Sequence, residues 1–215
     1  ERYVEAIEYY KLAIENGDKE LLHDLAILYD DNLKCYDEAE KYYKLAIENK
    51  SVSAMYDLAL LYYQLKRYEE SEIYYKLVLE YGDKEPIYDL ALLYDHLKRY
   101  DEAEKYYKMA IENGEIDAIC NLAIMYEKLE QYEKAEKYYK LAIENGDNEA
   151  VDYLAKLKEK YKKLITKIYA DLNNDNCVIC LEQFINNSKP FVIITCGHVY
   201  HLECYNKVNK CSMCG

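Results

Sequence analysis

Eight side chains of two kinds crowd the last 39 positions of the chain: Cys177, Cys180, Cys196, His198, His201, Cys204, Cys211 and Cys214. Their spacing reads C-x2-C, fifteen residues, C-x-H-x2-H-x2-C, six residues, C-x2-C. Thiolates and imidazoles are zinc donors, each ion takes four of them tetrahedrally, and one C-x2-C turn delivers two. Four consecutive ligand pairs therefore suit two zinc ions. With every position filled by protein, no place remains for a catalytic water, so the metal is structural. It also stands in for a core, since a segment this short with few large apolar side chains does not fold unaided. An oxidising compartment could turn the six cysteines into three disulfides, but the interleaved histidines would then have no purpose. We expect a reducing compartment, cytoplasmic or nuclear.

The elements that carry this cluster are repetitive. The block Tyr36-Asp37-Glu38-Ala39-Glu40-Lys41-Tyr42-Tyr43-Lys44-Leu45-Ala46-Ile47-Glu48 returns from Tyr68, Tyr100 and Tyr132, and in an earlier form from Tyr3. The steps are 33, 32, 32 and 32 residues, a period that signals a solenoid of stacked helical units. We assign the extra residue of the first step to an Asp30-Asp31-Asn32 loop. Each period holds two helical patterns, one led by Leu25, Leu58, Leu90 or Leu122 and one led by the tyrosine. In the second, Ala39, Tyr43 and Ala46 share a face, as do Ala103, Tyr107 and Ala110. Turns as short as Lys66-Arg67 force antiparallel pairs. Gly17, Gly82, Gly114 and Gly146 follow the second helix as left-handed C-caps, with Lys50 in the weakest such slot. Asp18, Ser51, Asp83 and Asp147 come next as expected N-caps. One ring of each pair, such as Tyr42-Tyr43 or Tyr106-Tyr107, is expected to pack inward with its hydroxyl reaching solvent.

With small and aromatic positions at Leu58, Ala59, Tyr62, Ser71, Tyr75 and Val78, the array resembles the tetratricopeptide repeat. Its Asn-Gly-Asp junctions resemble the related Sel-one-like repeat, although 32 residues is shorter than either family's usual length. The resemblance covers residues 3 to about 150. It implies a mostly α fold: a right-handed α-solenoid of antiparallel helix pairs with a concave groove, occupying residues 1–147. Beyond it, Leu154, Leu157, Tyr161, Leu164, Ile168 and Leu172 recur at steps of three and four along a lysine-rich stretch without proline or glycine. That pattern predicts one amphipathic helix from Glu149 to Asp171, within a segment 148–172. It serves as a cap for the last repeat, or as a coiled coil giving a homodimer. Residues 173–176, Asn-Asn-Asp-Asn, break it and form a linker. The chain opens at Glu1 in mid-pattern without a methionine, as a fragment would. No signal peptide precedes the pattern, and no apolar run approaches the roughly 18 residues a membrane span needs, so no membrane partner is expected.

Residues 177–215 resemble a RING finger of the subtype whose ligands run three cysteines, two histidines, three cysteines. A PHD finger would carry cysteine where His198 stands. The resemblance implies an interleaved cross-brace, with Cys177, Cys180, His201 and Cys204 on one zinc and Cys196, His198, Cys211 and Cys214 on the other. It further implies a ubiquitin-protein ligase that binds a charged ubiquitin-conjugating enzyme. Ile179 matches the family's apolar contact to that enzyme, and Val208 falls where many members carry tryptophan. Ser212 replaces a frequent proline, and Gly215 a frequent cation that contacts ubiquitin. A non-enzymatic scaffold is the alternative. Tetratricopeptide-like arrays line their groove with the first helices, which places His23, Tyr56, Tyr88 and Cys120 at exposed positions. Ile27, Leu60, Leu92 and Ile124 follow one turn on, with Asp24, Asp57, Asp89 and Asn121 alongside. The apolar row packs the interior of the curve or contacts a ligand.

Charge favours a basic protein segment, from a substrate or an adaptor, as that ligand. Residues 1–147 carry 34 acidic and 19 basic side chains, a net of −15, whereas residues 148–215 carry 7 and 9. An array this acidic repels phosphate backbones, so no nucleic-acid partner is expected. Carboxylates one repeat apart also repel unless a cation lies between them. No glycine-rich phosphate loop and no nucleophilic triad order appears. His23 and His96 stand apart from other ligands and suit partner contact or plain exposure. Cys35 and Cys120 are expected to be inert thiols.

Overall fold

The computed structural model describes residues 2–171, 191–193 and 199–201, with side chains over 3–164. Its first unit, Glu1–Asp147, is built from helices α1 (Arg2–Glu15), α2 (Leu21–Ile27), α3 (Tyr36–Glu48), α4 (Val52–Gln64) and α5 (Tyr68–Glu80). It continues through α6 (Pro86–His96), α7 (Tyr100–Glu112), α8 (Ile116–Lys128) and α9 (Tyr132–Glu144). Each even-numbered helix packs on the odd-numbered helix after it, which gives the solenoid of antiparallel pairs. The second unit holds α10 (Glu149–Asp171) and an antiparallel pair of strands, β1 (Phe191–Ile193) and β2 (Val199–His201), with Phe191 opposite His201.

Small residues at fixed positions let the helices close. Ala39, Ala103 and Ala135 are fully buried, and Ser71 holds the same slot in α5. Against them sit Tyr62, Tyr75, Tyr94, Tyr107, Tyr126 and Tyr139, all under 2 % exposed. Burying an aromatic side chain of this size contributes about 1.5–3 kcal/mol, so these rings supply much of the drive that backbone entropy opposes. Gly17, Gly82, Gly114 and Gly146 take φ of 88 to 106°, as the C-cap pattern predicts. In the one junction without glycine, Lys50 is forced to φ 67°.

Three expectations are corrected. Asp30-Asp31-Asn32 is not a loop, because Leu28–Asn32 forms a π-helical turn that prolongs α2. In later repeats the amide five residues beyond the core tyrosine bonds its carbonyl, as Arg67 N does to Tyr62 O at 2.8 Å. In the first, Cys35 N reaches back six residues to Tyr29 O at 2.9 Å. The helix absorbs the inserted residue by widening one turn, and the apolar register on either side is preserved. The capping expectation holds for Ser51, whose Oγ accepts from Ala54 N at 3.2 Å. Asp18 and Asp83 fall short of their helices; Asp83 Oδ1 instead accepts from Glu85 N at 3.0 Å, ahead of Pro86 at the first turn. Lastly, the inward tyrosine hydroxyls do not reach solvent. Tyr43 donates to Asp30 Oδ2 at 3.4 Å, Tyr139 donates to Glu127 Oε2 at 3.1 Å, and the Tyr107 hydroxyl is buried with no protein partner.

Candidate functional site

The first helices α2, α4, α6 and α8 carry the predicted groove residues, and the stacking of repeats joins two of the predicted rows. His23 Nε2 bonds Asp57 Oδ2 at 2.6 Å, and the Tyr56 hydroxyl donates to Asp89 Oδ2 at 2.7 Å. Asn121 Nδ2 donates to the Tyr88 hydroxyl at 2.5 Å. One position of each repeat thus meets the neighbouring position of the next. A carboxylate accepts, so in this bond Nε2 of His23 is the donor. The charge of the aspartate row is answered by donors from the preceding repeat, where repulsion had called for a cation. Asp24, which heads the row, is exposed. Ile27, Leu60, Leu92 and Ile124 are half-buried, and Cys120 is buried, against its expected exposure.

Sequence reading missed a third row one turn beyond the apolar one: Asp30, Tyr63, Asp95 and Glu127. The signal was present, since each follows the core tyrosine of its first helix. Asp30 is only 7 % exposed, and its Oδ1 has no partner. Burial first, then Asp31, raises its pKa above the usual carboxylate range. Asp95 Oδ1 is also buried without a partner, while Lys128 Nζ reaches Asp95 Oδ2 at 2.9 Å. Asp89 is likewise raised, by burial and then by Glu115, although the Tyr56 bond opposes this. Glu85 is raised by burial and by Asp83, Asp57 and Asp89. At the other end of the first helices, His96 Nε2 and the Tyr68 hydroxyl are bonded at 2.8 Å.

A second ladder, also unforeseen, runs along the tyrosine-led helices. Glu40 accepts from Lys44 at 2.6 Å, from the Tyr62 hydroxyl at 2.9 Å and from Arg67 Nη1 at 2.6 Å, the last two in the next repeat. Glu72 repeats the arrangement with Lys76, Tyr94 and Arg99. The guanidinium of Arg67 lies over the Tyr62 ring at 4.2 Å, and that of Arg99 over Tyr94 at 4.5 Å. The fourth repeat has Gln131 in place of the arginine, and Lys134 covers Tyr126 at 4.9 Å instead. Burial would raise the Glu40 carboxyl, but the bonds from Lys44, Arg67 and Tyr62 outweigh it and bring its pKa to about 2. Glu72 is lowered in the same way. The two faces thus contrast: Glu40 and Glu72 are each met by two cations, whereas on the first-helix face Asp95 is met by Lys128 alone and Asp57 and Asp89 by His23 and Tyr56.

The zinc-type donors lie outside the described residues, as do Ile179 and Val208, save that the backbone of His201 ends β2. The donor set itself fits zinc, being eight thiol or imidazole groups for two tetrahedra. Among the described residues no group of His, Cys, Asp or Glu gathers as a metal site, and no helix is long and apolar enough to cross a membrane. The strands were not foreseen, although Phe-Val-Ile and Val-Tyr-His are β-branched and aromatic triplets.

Comparison with known proteins agrees with this architecture. Residues 23–86, and again 85–113 and 116–145, match family models of the tetratricopeptide repeat. Residues 176–215 match the zinc-RING finger domain. No curated protein matches the chain. Among solved structures, a MamA crystal structure superposes with a TM-score of 0.60 at 23 % identity, covering 69 % of this chain and 91 % of that one. MamA from Desulfovibrio magneticus gives 0.58 at 21 %, over 66 % and 84 %. A tetratricopeptide repeat protein from Parabacteroides merdae gives 0.63 at 21 %, over 86 % and 80 %. At these identities the likeness is one of fold.

Proposed function

Since the chain is a tetratricopeptide-repeat protein with a C-terminal zinc RING finger domain, we propose that it is a ubiquitin-protein ligase. The repeat array recruits a substrate or adaptor, and the RING finger binds a charged ubiquitin-conjugating enzyme. The observation that carries this reading is the match over residues 176–215, with Ile179 retained just before the second ligand. Cys177, Cys180, His201 and Cys204 hold one zinc; Cys196, His198, Cys211 and Cys214 hold the other. The zinc supplies rigidity alone, because all its positions are taken by protein. Ile179, with Val208, then offers an apolar contact to the conjugating enzyme. A substrate lysine attacks the ubiquitin thioester, an amide bond forms, and the conjugating enzyme's thiol leaves. The thiolates require a reducing compartment, cytoplasm or nucleus.

The array's ligand is a basic protein segment lying along the first-helix face. This reading is supported by the net charge of residues 1–147 and by Asp57 and Asp89, which are met by an imidazole and a hydroxyl and not by lysine or arginine. Val208, Ser212 and Gly215 depart from the family's pattern and favour one rival, a scaffold that binds proteins without transferring ubiquitin. A discharge assay across a panel of conjugating enzymes separates the two. Ile179→Ala should abolish discharge by the wild-type chain's enzyme partner while zinc content stays unchanged, since it removes an interface anchor and no ligand. Absence of wild-type discharge with every enzyme would leave the scaffold.

A further inference from the structure

The groove face is not uniform along its length. In its first half the two inter-repeat steps present Asp57 and Asp89. At the next step the carboxylate becomes the amide of Asn121, and Lys128 neutralises Asp95. The inter-repeat row is therefore anionic at its first two steps and uncharged at its third, although Glu127, in the row beyond, accepts from the Tyr139 hydroxyl.

Within the anionic half, one place shows an unmet charge. His23 and Asp57 sit at the boundary of α2 and α4 and remain partly open, with side chains 21 % and 29 % exposed. The Tyr43 ring lies 5.9 Å from the His23 ring, and its hydroxyl donates to Asp30 Oδ2. Burial first, then the charges of Asp57, Asp30 and Asp31, drive the pKa of that hydroxyl upward. The other oxygen of Asp30 is buried and bonded to nothing. A buried carboxylate oxygen without a donor carries an uncompensated desolvation cost. On the opposite ladder the same problem at Glu40 is solved by two cations and a hydroxyl. Here, besides the Tyr43 hydroxyl, Asp30 is attracted by Lys34 alone, through space, and Lys34 is exposed.

We propose that this first step is a socket for a guanidinium or ammonium group of a partner, entered past His23 and Asp57 and completed by Asp30. The bound peptide then runs with its basic end over Asp57 and Asp89 and its other end toward Asn121 and Ile124. This rests on the recruitment reading above and deepens it by giving the peptide a direction. A planar guanidinium suits the socket best, since its fork can bridge two carboxylates.

The test titrates the full chain with fluorescein-labelled hexaarginine and follows anisotropy at physiological salt. Asp57→Asn keeps an acceptor for His23 and removes one charge, and Asp30→Asn does the same beneath it. Each should weaken binding about tenfold, the scale of losing one charge-assisted partner. Asp37→Asn with Asp101→Asn, both exposed on the tyrosine-led helices, alters net charge by two and should change binding less than about twofold through screened, long-range attraction. Asn121→Asp should tighten binding by extending the anionic half. Circular dichroism confirms that each variant folds, and Asp57→Asn alone decides the matter if Asp30→Asn does not. Equal weakening by the control pair and by Asp57→Asn, or no saturable binding by the wild type, overturns the socket. Neither result touches the ligase reading, which substrate-free discharge scores separately.

Discussion

The Tyr56 hydroxyl donates to Asp89 Oδ2 across a repeat boundary at 2.7 Å, so a first-helix residue of one repeat fixes a first-helix residue of the next. Tyr56→Phe removes only that donor and leaves a half-buried carboxylate short of a partner. We expect a loss of about 1–2 kcal/mol, read as an earlier urea midpoint. Asp89→Asn, which keeps an acceptor, should cost less. An equal loss in both would show that the bond is not the source.

Acid should act mainly through the other ladder. Glu40 and Glu72 have folded pKa values below their unfolded ones, so the stability they contribute is full above about pH 4.5 and fades as pH falls, for Glu40 toward about 2. Glu40→Gln should destabilise the array at pH 7, and its deficit against the wild type should shrink steadily between pH 5 and pH 2. Groove carboxylates such as Asp89 are raised and pull the other way, gaining stability on protonation. A deficit independent of pH would contradict the assigned role of Glu40.

Lys50 holds φ 67° where the other junctions have glycine. Lys50→Gly should therefore stabilise the array by about 0.5–1 kcal/mol, net of glycine's greater freedom in the unfolded chain. Gly82→Ala, at φ 88° with nothing within 4 Å of the added carbon, should destabilise it by a similar amount through backbone strain alone. Thermal melts of the two variants should shift in opposite directions.

Metal analysis should find two zinc ions per chain in protein purified without chelator. Cys177→Ser or His201→Ala should lower that count while the helical circular-dichroism signal of the array persists, because solenoid units contact only their neighbours. Collapse of both signals together would join the two units in one cooperative fold.

Period, helix faces, glycine caps and ligand order were all legible in the chain, because each is set by residue type at short range. Ala39, Tyr43 and Ala46 had to share a face, and the cluster from Cys177 to Cys214 had to suit zinc. Only the tertiary structure paired His23 with Asp57 and Glu40 with Arg67, residues 34 and 27 positions apart. Such bonds depend on how far one repeat rotates against the next, which no local pattern encodes. The inserted residue near Asp30 is a further instance. Its polarity suggested a loop, but hydrogen bonding favoured a widened turn that kept Tyr29 buried, and this drew an aspartate into the interior.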